Sequence, residues 1–131
     1  MPFKPEIDGI ALGLATVPVL AAFFLWGQLP AELAVHWSGG QPDGYLPKPL
    51  GTVGLLALAA GAIGFLRLAP DRLTSTPGGE DLTVLFLGVV FGWVETIVLV
   101  WNLGFRFPVE WAVLPVLILT AGLVVLGTWL R

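Results

Sequence analysis

Four stretches of the chain carry almost no polar side chains, and they are separated by short polar connections. Residues 9–31 contain no charge at all, a run long enough to cross an apolar layer about 30 Å thick as a helix. Residues 49–66 form a second uncharged run closed by Arg67. Residues 82–105 form a third, interrupted only by Glu95, and residues 111–130 a fourth, closed by Arg131. Backbone amides in lipid must bond within their own segment, so the pattern predicts four helices, over about residues 9–30, 49–68, 81–104 and 109–130. The fold class expected is all-α, a single membrane domain over residues 1–131. It is an integral bundle of four transmembrane helices with a structured extracellular loop between the first two.

The first run is too long for the apolar region of a secretory signal, and the eight residues before it carry one lysine and two acids. It reads as an uncleaved span. An even number of spans puts both termini on one side. Lys4, Arg67, Arg72 and Arg131 fall on that side and Lys48 and Arg106 on the other. Positive residues favour the cytoplasmic face, so the expected location is a cell membrane, multi-pass, with cytoplasmic termini.

Composition narrows the function classes. Apolar residues make up 56% of the 131 and charged residues 11%, far below the roughly 25% of a soluble domain. A net charge of -3 with six basic residues excludes a nucleic-acid partner. The absence of cysteine removes disulfides and thiolate metal sites. One histidine cannot supply the three protein ligands of a catalytic zinc centre, so no metal, cofactor or catalytic residue is expected. No nucleophile–base pair is evident, and the chain reads as a non-enzyme. Trp26, Trp37, Trp101, Trp111 and Trp129 lie near span ends, where an amphipathic ring favours the headgroup layer.

Close helix packing in lipid needs small residues. Candidates are Gly9 and Gly13 with Thr16 in span one, and Gly54, Ala57, Gly61 and Gly64 along one face of span two. In span three, Gly88, Gly92, Glu95, Leu99 and Asn102 share a stripe that belongs toward the interior. Pro18 and Pro115 each remove a backbone bond and should kink their helices.

The loop at 29–49 is rich in turn chemistry. Pro30 can start a helical turn over 31–35, after which Ser38-Gly39-Gly40 and Pro42-Asp43-Gly44 read as two tight turns. A loop of this kind holds one shape. The string LPAELAVHWSGGQPDGYLPK, residues 29–48, resembles the signature of the SdpI-like membrane proteins, a family named after an immunity protein against a sporulation-delaying toxin. Leu29, Pro30, His36, Trp37, Gly40, Pro42, Asp43 and Lys48 match the family pattern, while Ser38 stands where asparagine is usual. The resemblance spans about the first half of the chain and implies the family's N-terminal membrane module, whose best-known member confers toxin resistance and captures a repressor. The connection 67–81 is too small to bury the roughly 800 Å² per partner of a stable interface, which argues against repressor capture through that surface.

The candidate binding residues are His36, Trp37, Asp43, Lys48, Glu95 and Asn102. His36 is expected to bond backbone carbonyls of the loop, Asp43 to cap turn amides, and Lys48 to pair with Asp43 or reach the headgroups. Glu110, Glu32, Arg106, Arg67 and Arg72 read as solvated or headgroup-facing ends. A carboxylate at the depth of Glu95 costs a few kcal/mol unless it is protonated or paired. Two roles stay open for it. One is a proton carrier on the floor of a cavity lidded by the loop, with Trp93 and Asn102 nearby; the other is a structural acid bonded to Thr16 or a helix carbonyl. Partners implied are membrane lipids, a peptide toxin or another membrane protein, and a second copy of the chain. The functions weighed are a non-catalytic SdpI-like protein in immunity or signalling, a proton-coupled small-molecule transporter using Glu95, and an accessory subunit of a larger membrane complex.

Overall fold

The computed structural model describes residues 4–68 and 79–129. Helix α1 runs Pro5–Phe24 and continues through a 3-10 turn at Trp26–Gln28 into strands β1 (Glu32–Ser38) and β2 (Gln41–Pro47). Helices α2 (Lys48–Leu68), α3 (Gly79–Asn102), the short α4 (Val109–Ala112) and α5 (Leu114–Trp129) follow. Four segments are long and apolar enough to cross a membrane: Pro5–Phe24, Lys48–Leu68, Glu80–Asn102 and Val109–Trp129. Among the described residues the fold is all-α apart from one two-stranded antiparallel sheet. Arg72 and Arg131, which entered the orientation, and residues 69–78 of the connection judged too small for repressor capture lie outside the described residues.

The core is built by α1, α2 and α3. Small residues do bring α1 and α3 together, but they are not all the expected ones. Gly88 and Gly92 of α3 face the backbone of α1, where an added Cβ would fall 2.6 Å from the Ala11 oxygen and 2.5 Å from the Leu14 oxygen. The α1 side of this contact is Ala11 and Ala15, both fully buried, while Gly9 is exposed and Gly13 half-buried. The α2 stripe of Gly54, Ala57, Gly61 and Gly64 is also turned away from the core. Gly61 and Gly64 have open space around them, and α2 buries Gly51, Thr52, Ala59, Ile63 and Arg67 instead. The glycine repeat of α2 was overruled because the inward face must carry the arginine and the larger Ile63, which close the bundle.

Arg67 corrects a second expectation. It is not a solvated end; its side chain is completely buried. Nε and Nη2 donate to Asp8 Oδ1 at 3.0 and 2.6 Å, and Nη1 donates to Asp81 Oδ1 at 2.8 Å. Lys4 Nζ donates to Asp81 Oδ2 at 2.6 Å. Two acids and two bases thus tie the start of α1, the end of α2 and the start of α3 into a neutral cluster. A buried arginine persists only with such pairing.

Pro18 leaves α1 continuous. By contrast, the fourth span is divided, with α4 ending at Ala112 and α5 starting at Leu114 just before Pro115. Proline lacks the amide needed to carry the helix through. Trp93 Nε1 donates to Ala112 O at 2.6 Å, joining α3 to α4. No residue of α5 is buried.

Candidate functional site

The segment between α1 and α2 is a β-hairpin rather than a helical turn followed by two tight turns. Gly39 and Gly40 have φ of +59° and +80°, and Ser38 pairs with Gln41 across them. A two-residue hairpin loop with both φ values positive matches the right-handed twist of its strands, and glycine adopts it without steric cost. Residues 31–35 therefore extend into β1, and Pro42-Asp43-Gly44 lies within β2. The second turn does not form because its residues are consumed by strand pairing.

Both strands are irregular. Ala34 pairs with Tyr45 and His36 with Gly44, then Trp37 pairs with Pro42, so Val35 and Asp43 have no register partner. Gly44 is needed opposite His36, since a Cβ there would sit 3.0 Å from the His36 Cβ. The two offsets place His36 beside Asp43 on the outer surface, with Nδ1 and Oδ1 2.5 Å apart. An ionised carboxylate only accepts, so Nδ1 carries the proton. This side-chain pair replaces both the carbonyl bonds expected for His36 and the amide capping expected for Asp43. Both side chains are solvent-accessible, His36 at 72%.

The remaining candidates anchor the hairpin. Lys48 bonds neither Asp43 nor the headgroup side; its Nζ donates to Trp26 O at 3.0 Å and lies 4.9 Å from the Trp26 ring centroid. Its amide donates to Ala31 O at 2.8 Å, fixing the end of β2 to the start of β1. Asn102, at the end of α3, holds Ala34 through both groups of its amide. Trp37 packs edge-on against Trp101 at 5.7 Å, and Trp101 against Phe107 at 5.6 Å. The Trp37 Nε1 is buried without a hydrogen-bond partner. Arg106 spreads over the Trp101 ring at 4.7 Å and donates to Trp101 O.

Between the hairpin and the segment 103–110 runs an open groove of about 790 Å³. Its walls carry Glu32, Glu110 and Arg106, with Tyr45, Pro42 and Trp101 supplying apolar surface. Such a mixture of both charges around aromatic rings suits an amphipathic partner better than a purely apolar one.

Glu95 lies elsewhere, within the bundle beneath the hairpin, and is 5% exposed. Both carboxyl oxygens are buried without a hydrogen-bond partner. The bond to Thr16 does not form, and the Thr16 hydroxyl donates to Leu12 O within α1. Glu95 does line a small cavity under Leu33 of β1. Trp93 and Asn102 are not in its wall: Trp93 reaches α4, and Asn102 faces the outer groove. Among the described residues, no group of three or more His, Asp or Glu could hold a metal ion.

The Asp8–Arg67–Asp81 cluster was not foreseen from the sequence. Its signal is the spacing of charges that end apolar runs: with alternating helices, the start of spans one and three and the end of span two meet at one level.

Residues 13–60 match the family model described as a domain of unknown function (DUF1648), a match that covers most of α1, the hairpin and more than half of α2. Neither the curated proteins nor the solved structures gave a match.

Proposed function

We propose that this chain is a small SdpI-like, non-catalytic membrane protein whose hairpin binds a peptide, a lipid-like molecule or a membrane partner, in toxin immunity or signalling. The hairpin faces outward and the termini lie in the cytoplasm, as the lysine and arginine distribution favours. The observation that carries this reading is the docking of the hairpin. It is fixed to α2 through Lys48 and to α3 through Asn102, and it borders a groove with charged and aromatic walls. A platform anchored at its base presents side chains in one arrangement, which lowers the ordering cost of binding. The exposed His36–Asp43 pair is the polar feature available for recognition.

Expression of the wild-type chain protects cells exposed to the cognate toxic peptide, and His36→Ala or Asp43→Ala removes protection at equal membrane abundance. Equal protection by both variants would remove the hairpin from the function. A second reading, proton-coupled transport, is favoured by the unpartnered Glu95 carboxyl group. It predicts substrate flux that collapses when the pH gradient is discharged.

A further inference from the structure

The tight contact of α1 with α3 at Gly88 and Gly92 opens one turn further on. There a cavity of about 20 Å³ is walled by Pro18 of α1, Gly51 and Thr52 of α2 and Glu95 of α3. Leu29 and Leu33 close it on the hairpin side. Leu33 seats directly on Gly51, where an added Cβ would fall 3.1 Å from a Leu33 methyl carbon. A water needs about 10–15 Å³ of such space and two or more polar partners, so the cavity has room for one.

The polar partners are present. Glu95 contributes two oxygens that bond to nothing in the protein. The Thr52 hydroxyl donates to Lys48 O at 2.7 Å and keeps its lone pairs to accept.

Among the described residues, no counter-charge faces Glu95. The cavity wall holds no other titratable group. On α1 the acids are Glu6 and Asp8, the latter spent on Arg67; on α2, Lys48 is turned to Trp26 and Arg67 to the aspartates at the far end. On α3, Glu95 is the one charged residue between Asp81 and Asn102, and the hairpin's Glu32, His36 and Asp43 are exposed.

We propose that this cavity is an exchangeable-proton site, in which one water molecule is hydrogen-bonded to a protonated Glu95 carboxyl group and reaches bulk water when the hairpin undocks. The acid donates its O–H to the water, which can donate onward to Thr52. Leu33 is the plug. Binding of a partner to the hairpin groove would change how often the plug lifts. The site rests on the second reading's premise that Glu95 carries a proton, and it stands whether or not any solute is transported.

The test uses the purified chain in lipid bicelles and two carbodiimides, which add to protonated carboxyl groups. The apolar reagent dicyclohexylcarbodiimide labels Glu95, found by peptide mass spectrometry, and labelling declines as pH is raised; Glu95→Gln abolishes it. A water-soluble carbodiimide labels Glu95 slowly in the wild type. Asn102→Ala, which loosens the hairpin, speeds it about tenfold or more, the factor that losing a buried hydrogen-bonded pair implies. Infrared spectra of the wild type and Glu95→Gln, both with the hairpin intact, add an independent readout. A hydrogen-bonded carboxylic-acid C=O band is present in the first and missing in the second. No labelling of Glu95 by the apolar reagent at any pH, equal wild-type labelling by both reagents, or a C=O band at the position of a free acid overturns the proposal. So does an unchanged water-soluble rate in Asn102→Ala.

Discussion

Asn102 and Ala34 exchange two hydrogen bonds: the Ala34 amide donates to Asn102 Oδ1 at 2.9 Å, and Asn102 Nδ2 donates to Ala34 O at 3.0 Å. A side-chain amide at the end of α3 thus satisfies the backbone of β1 as a third strand would. Ala34 is 2% exposed, so water cannot readily substitute. Asn102→Ala is expected to destabilise hairpin docking by about 1–3 kcal/mol, the usual cost of orphaning buried polar groups. Hydrogen exchange resolved by residue should show faster exchange at Ala34 with helix amides of α1 and α3 unchanged. Uniform acceleration across the chain would mean the bond supports the whole bundle instead.

The Asp8–Arg67 pair should behave as a buried ion pair. Arg67→Met leaves Asp8 in an apolar environment with no counter-charge, at a cost of about 3–5 kcal/mol. Asp8→Ala leaves the arginine with Asp81 as its carboxylate partner and should cost less. The double variant should recover a large part of either loss, because neither charge is then left unpaired. Unfolding in mixed micelles would measure all three, and strict additivity would rule out the coupling.

Glycines divide into two kinds. Gly92→Ala pushes a methyl group into the Leu14 carbonyl and should part α1 from α3, with a loss of about 1–3 kcal/mol for forced overpacking. Gly61→Ala meets open space and should be neutral or stabilising by about 0.5–1 kcal/mol through helix propensity. Thermal unfolding of the two variants side by side is decisive: the same shift in both would show that the α1–α3 contact yields freely.

At the hairpin tip, Gly39→Asn should be tolerated, since asparagine adopts positive φ more readily than other residues with a Cβ. Gly40→Val should not be, because a β-branched side chain is disfavoured at φ +80°. Cross-strand nuclear Overhauser contacts between Ser38 and Gln41 should persist in the first variant and vanish in the second.

The long elements were legible because lipid imposes a blunt rule: a run of about 20 apolar residues has one stable backbone solution. Span two was placed within a residue of its observed limits. The inward placement of Gly88, Gly92 and Glu95 could be read because a charge and two glycines on one helix face have few places to go, whereas Asn102 turns to the outer groove. The hairpin could not. Its residues, three prolines and three glycines in residues 39–49 among them, signal turns locally, and only the bonds from Asn102 and Lys48 make an extended pairing the better outcome. Arg67 failed for the opposite reason: an arginine closing an apolar run looks like a headgroup anchor until two aspartates from other helices are brought to its level. His36 and Asp43 stand out in one loop, each with backbone partners expected; their mutual bond depends on the paired strand offsets, which no spacing rule announces.

The unburied α5 has a consequence for how the molecule behaves in a bilayer. Lipid tails are as apolar as its leucines and valines, so swapping protein neighbours for acyl chains along this helix changes little in free energy. Its tether is the Trp93–Ala112 bond and the break at Val113. The fourth rod can therefore pivot about that point while the other three, riveted at one end by Arg67 and at the other by the hairpin, keep their geometry. The fourth rod thus meets almost nothing but acyl chains, whereas each of the other three shares its surface between lipid and the core.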